Sequence, residues 1–169
     1  MESSGNGHIY IAIPLMALLA IVQSSILPRF PIAGVAPQLL FIVALGWGLL
    51  RGLEEGLIWA FIAGLFVDLF SLAPMGVSSL AFMAGMTPIL LRRVLPPRRL
   101  LVASLMGALG TIIYLLAYTL LLQFTAFGVT ISGMLELLPL ILIHAVIITP
   151  VYLLLDYLLR ITKPRRVEF

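Results

Sequence analysis

The sequence predicts an all-α polytopic membrane protein with six transmembrane helices in a single domain, 1–169. Three observations carry that expectation. Of the 169 residues, 62% are hydrophobic and only 10% are charged, whereas a soluble domain is about half apolar and about a quarter charged. Mean hydropathy is correspondingly high, +1.20. The apolar residues come in continuous runs rather than alternating, which indicates helices, and in hydrocarbon only helices or closed barrels satisfy their backbone groups.

The first span is expected at 9–27. Residues 1–8, MESSGNGH, lack the basic start of an export signal and no A-x-A pattern follows, so this span reads as retained. LPRFPIAGVAP interrupts the apolar run before a second span at 35–50. That span is short against the roughly 17–25 residues a crossing helix needs. RGLEE leads into a third span at 56–73. Reading the second and third as a re-entrant hairpin would bury Arg51, Glu54 and Glu55 at about 2.5–3.5 kcal/mol each, so full crossings are expected. SLAPMG precedes a fourth span at 75–91, RRVLPPRR a fifth at 100–124, and TAFGVTISG a sixth at 135–159. Pro88, Pro139 and Pro150 are expected to kink their helices, and the prolines of RRVLPPRR to keep that loop non-helical.

The basic residues test this topology. With a cytoplasmic N-terminus, the inner side receives Arg51, Arg92, Arg93, Arg98, Arg99, Arg160, Lys163, Arg165 and Arg166, and the outer side only Arg29. So strong a bias puts both termini in the cytoplasm. The net charge of +3 reflects this placement and needs no nucleic-acid partner. The arginines of RRVLPPRR, Arg92, Arg93, Arg98 and Arg99, fix orientation and attract anionic lipid, and they also suit docking by a cytoplasmic protein.

Asp68 is the most expensive residue in this reading. It continues a lane of Gly56, Ala60 and Gly64, spaced every fourth residue, with Gly48 and Gly52 upstream. Such spacing lets helix backbones approach closely in lipid. Ala81 and Gly85, and Ala103 and Gly107, repeat it. Asp68 therefore points into the bundle, roughly 18–20 Å along the helix from Glu55. Three roles fit it: a fastener bonded to backbone groups or to Ser71, Ser78 or Ser79, a relay with His144, or a ligand contact. Arg29 and His144 share its depth and are its candidate charged partners.

The chain has no cysteine, which excludes disulfides, thiolate metal sites and cysteine nucleophiles. His144 has no second His or Cys at ligand spacing, so no metal and no cofactor is expected. Asp156 and Arg160, spaced i, i+4 with the acid first, should pair on the last helix. No catalytic motif accompanies Asp68 and His144, and the gaps between spans are too short for a soluble catalytic module.

Residues 37–82, PQLLFIVALGWGLLRGLEEGLIWAFIAGLFVDLFSLAPMGVSSLAF, resemble the rod shape-determining protein MreD family. The matching features are a Pro before an apolar span, a Gly-spaced helix ending in G-L-x-x-D-L, and a Pro-Met-Gly turn. Here these are Pro37, Gly52, Gly56, Gly64, Asp68, Pro74 and Gly76. Where that family often has an acid after the first Pro, this chain has Gln38. The resemblance implies a non-enzymatic scaffold of the bacterial cell-elongation machinery in the inner membrane. It would bind the bitopic protein MreC and be linked with MreB, RodA and PBP2 in organising peptidoglycan synthesis and cell shape. It also implies a fold similar to the S components of energy-coupling factor vitamin transporters, so a substrate-binding S component is the alternative function. Against it, the Ala-x-x-x-Ala docking cue of those proteins is replaced by Ala12, Met16 and Ala20. The scaffold is expected to bind a partner's transmembrane helix through its small-residue faces.

Overall fold

The computed structural model describes residues 7–32, 34–93, 99–124 and 137–162. Within them are six α-helices: α1 (Gly7–Ser25), α2 (Leu39–Arg51), α3 (Leu53–Leu69), α4 (Val77–Gly85), α5 (Arg99–Gln123) and α6 (Leu138–Thr162). Short 3-10 segments, Leu27–Arg29 and Thr87–Arg93, follow α1 and α4. Three stretches are long and apolar enough to cross a membrane: Ala12–Arg29, Leu100–Gln123 and Leu138–Ile161.

The weakest span in the sequence is the middle of the molecule. α2 touches α1, α3, α5 and α6, and Leu40, Phe41, Ile42, Ala44, Leu45, Trp47 and Leu49 on it are all buried. Its 13 residues rise only about 20 Å, less than the roughly 30 Å of a hydrocarbon core. Because protein surrounds it, its ends can be satisfied by other segments rather than by water. The remaining helices are wrapped around it, with α3 against α4, α4 against α5, and α5 against α6.

A hairpin joins α2 to α3 through Gly52, whose φ of +111° an ordinary side chain would strain. Its amide donates to the Gly48 carbonyl at 2.8 Å. Across the hairpin Gly48 meets Gly56: a Cβ on Gly56 would stand 2.8 Å from the Gly48 Cα. Trp47 and Trp59 stack over this contact with ring centroids 4.2 Å apart.

Three expectations about proline and helix length need correction. The fourth span is not one continuous α-helix, because α4 stops at Gly85 and a 3-10 segment runs from Thr87 to Arg93. Pro88 has no N–H to offer the Ala84 carbonyl, and the Thr87 hydroxyl donates to that carbonyl instead, at 2.8 Å. Pro139 stands at the second position of α6, where the backbone N–H would have no helical partner anyway, so it causes no kink. Pro150 lies inside α6. The third helix also starts earlier and ends earlier than 56–73, at Leu53 and Leu69.

Candidate functional site

Asp68 lies in the last turn of α3 and is 3% exposed. Its Oδ2 accepts the Gly76 N–H at 2.7 Å and its Oδ1 the Ser78 N–H at 3.1 Å. Gly76 immediately precedes α4, adopts a φ of +95°, and has no side chain with which to cap it. The carboxylate of one helix therefore caps the N-terminus of the next, where the unpaired amides and the helix dipole favour it. Two hydrogen bonds to a charged acceptor contribute roughly 1.5–3 kcal/mol each. That is enough to offset the roughly 2.5–3.5 kcal/mol of placing an acid in such a run.

The same junction is tightened by its neighbours. A Cβ at Gly64 would fall on the backbone of Ser78 and Ser79, so α3 and α4 touch backbone to backbone. The Ser79 hydroxyl donates to the Phe61 carbonyl at 3.1 Å. Ser71, expected to bond the Asp68 side chain, donates instead to its backbone carbonyl at 3.4 Å. Pro74 accepts the Val77 N–H at 3.3 Å within the turn.

Neither proposed charged partner meets Asp68. Arg29 is exposed in the 3-10 segment after α1 and has no ion pair among the described residues. His144, fully buried, has both ring nitrogens engaged elsewhere. Its Nδ1 is 2.8 Å from the Thr111 hydroxyl, and its Nε2 accepts the Gln38 backbone N–H at 3.0 Å. The single Thr111 hydroxyl proton goes to the Gly107 carbonyl at 2.7 Å. The imidazole must therefore donate from Nδ1 and accept at Nε2, a neutral tautomer with every polar atom satisfied.

Sequence reasoning missed what His144 is for. Gln38 immediately precedes α2, and its N–H is one of the amides that a helix start leaves without a helical partner. Gln23 of α1 accepts a second, from Leu40 at 3.4 Å, and its amide donates to the Gln38 side-chain carbonyl at 2.5 Å. The half-buried start of α2 is thus capped by α1 and α6, as the start of α4 is capped by α3. The available signal was three polar letters, Gln23, Gln38 and Thr111, at one depth of otherwise apolar runs.

The small-residue lane is used inside the chain. Gly56 packs on Gly48 of α2, and Gly64 on α4. Gly85 faces the Phe41 ring and Gly110, while Gly107 lies against His144 and Ala145. Ala60 is fully buried. These faces are already occupied by neighbouring helices, which corrects the expectation that they receive a partner's helix.

The charged end at the α2–α3 turn is more orderly than expected. Arg51 pairs with Glu55 at 3.0 Å, and Glu55 also accepts the Trp47 indole N–H at 3.0 Å. Arg160 pairs with Asp156 at 2.8 Å, as the i, i+4 spacing suggests. Of the candidate docking arginines, Arg92 is exposed, Arg93 ends the 3-10 segment and Arg99 begins α5, while Arg98 lies outside the described residues. A cleft of about 520 Å³ lies at this end, lined by Gly52, Leu53, Ile89, Leu90 and Arg92. A smaller one, about 210 Å³, is lined at the other end by Gln23, Gln38, Phe66 and Phe70 among others. No group of three or more His, Cys, Asp or Glu that could hold a metal is found among the described residues.

No curated protein and no solved structure matches the chain. The family model for the rod shape-determining protein MreD matches residues 7–162, both polar caps and all six helices included. An all-helical chain matched over nearly its whole length in this way belongs to the MreD family of cell-shape proteins.

Proposed function

We propose that this chain is a non-enzymatic scaffold of the bacterial cell-elongation machinery. It sits in the cytoplasmic membrane, crosses six times with both termini inside, and pairs with the bitopic protein MreC. Membership of a shape-determining family across residues 7–162 is the observation that carries this reading. The placement of nine basic residues on one side and Arg29 on the other supports the orientation. Polar side chains turned inward as caps support it too, because they hold helices in register and leave an apolar exterior. Tyr10, Ile13, Leu18 and Ile21 of α1 and Leu142, Val146, Leu153 and Leu154 of α6 are exposed, and a partner's transmembrane segment would dock on apolar faces of that kind. Links to MreB, RodA and PBP2 belong to the same proposal.

The fold likeness to S components of energy-coupling factor transporters is part of this proposal as architecture and not as activity. A vitamin-binding subunit would use the cleft near Gln23 and Gln38, but its volume of about 210 Å³ falls below the roughly 300–1,000 Å³ of ligand pockets. Ala12, Met16 and Ala20 are also buried within the chain and unavailable for docking. The test is purification from native membranes with mass spectrometry of the associated proteins. A bitopic protein and cell-wall synthases are expected. Recovery of an ATPase pair with a coupling subunit would overturn the scaffold reading in favour of uptake.

A further inference from the structure

We propose that the cleft between the α2–α3 turn and the 3-10 segment is a site for an anionic membrane lipid, whose phosphate is held by Arg92. The walls are Gly52 and Leu53 on one side and Ile89, Leu90 and Arg92 on the other. Of the five described residues that line it, four are apolar or glycine and one is a guanidinium. That is the complement of an amphiphile with a single anionic head. The volume of about 520 Å³ lies in the range of pockets that hold small molecules, roughly 300–1,000 Å³.

Among the arginines whose side chains are described at this end, Arg92 stands apart. Arg51 is tied to Glu55 and Arg160 to Asp156. Arg92 is exposed and has no acidic partner among the described residues. The acids of the adjoining helix do not compete for it: Glu55 is engaged by Arg51 and Trp47. Neither Glu54 nor Glu55 is among the described residues lining the cleft. A guanidinium presents paired N–H donors that match phosphate oxygens, and basic pockets between membrane helices recognise phospholipid head groups. Leu90, two residues before it in the chain and 62% exposed, continues the apolar wall outwards, where an acyl chain would run.

The site also has a built-in reporter. The chain has only two tryptophans, Trp47 and Trp59, and they stack on the hairpin whose turn forms one wall of the cleft. Both are shielded, at 6% and 1% exposure, so a quencher must come close to reach them. The inference requires only that this end of the bundle meets a headgroup layer. It therefore stands or falls independently of the scaffold reading.

The experiment reconstitutes the full chain in phosphatidylcholine vesicles and compares quenching by acyl-brominated phosphatidylglycerol and acyl-brominated phosphatidylcholine. Wild type should favour the anionic lipid about fivefold, the equivalent of the ~1 kcal/mol that one basic side chain contributes at such a surface. Arg92→Gln should abolish the preference, whereas Arg160→Gln, an equal loss of charge at a paired arginine, should preserve it. Equal quenching by the two lipids in wild type would overturn the site. So would an equal loss in the two variants, which would assign the effect to diffuse charge. If Arg92→Gln fails to insert, Arg92→Lys is read instead: it keeps the charge and loses the fork, and an undiminished preference would refute a fork-held phosphate. Inorganic phosphate added in excess should leave the preference intact. If it erased the preference, the site would belong to a soluble phosphate and the lipid assignment would fail.

Discussion

Asp68 holds two backbone amides of α4, and substitutions there separate the contributions of its two oxygens. Asp68→Leu leaves the buried Ser78 N–H and the half-buried Gly76 N–H without acceptors, at about 1–3 kcal/mol for the buried one and less for the other. Asp68→Asn keeps one acceptor oxygen and turns an amide donor towards the other N–H, so it should lose roughly half as much. Thermal unfolding in detergent should rank wild type above Asn and Asn above Leu. A Leu variant as stable as wild type would remove the cap from the account. Thr111→Val removes the acceptor of the His144 Nδ1 proton and should cost about 1–3 kcal/mol by the same measurement. The burial and inward direction of Asp68 were legible in the lane of small residues before it. Its partners were not, because backbone amides have no letter in a sequence, and the search for charged side chains led to Arg29 and His144 instead.

Helix by helix, hydropathy located the elements to within a few residues, and the errors have local causes. The early end of α4 comes from Pro88 and the Thr87 hydroxyl that replaces its missing donor. The packing role of Gly64 was readable from its spacing, but which helix it met was not. Its contact is with the backbone of Ser78 and Ser79, which cannot shift as a flexible side chain could. Gly64→Leu should therefore separate α3 from α4 and cost at least the roughly 1–3 kcal/mol of overpacking. Gly34, with open space around it and a φ of +82°, offers a comparison in which strain arises without a clash. Proteolysis of the α3–α4 turn in the two variants would distinguish them, with faster cleavage expected only for the Gly64 variant.

Over the whole molecule, the order of the helices was the most legible property and internal wiring the least. Charge placement predicts that a single cysteine introduced at Arg98 into this cysteine-free chain reacts with membrane-impermeant maleimide only after the cells are opened. One introduced at Leu72, which is 93% exposed in the opposite turn, should react in intact cells. Labelling of position 98 from outside would reject the six-span topology. The assignment of α2 as a weak span followed from its length alone, since a string of letters does not show that four other helices enclose it. Its cap carries a consequence for biosynthesis. His144 follows Gln38 by 106 residues, so the second helix leaves the ribosome long before the group that completes its start has been translated. Until the sixth helix enters the bilayer, that amide waits unpaired, and the earliest central element of the bundle is among the last to be finished. Nascent chains halted before Leu138 should consequently be held by the insertion machinery or degraded, and released as a folded unit only once the sixth helix is added.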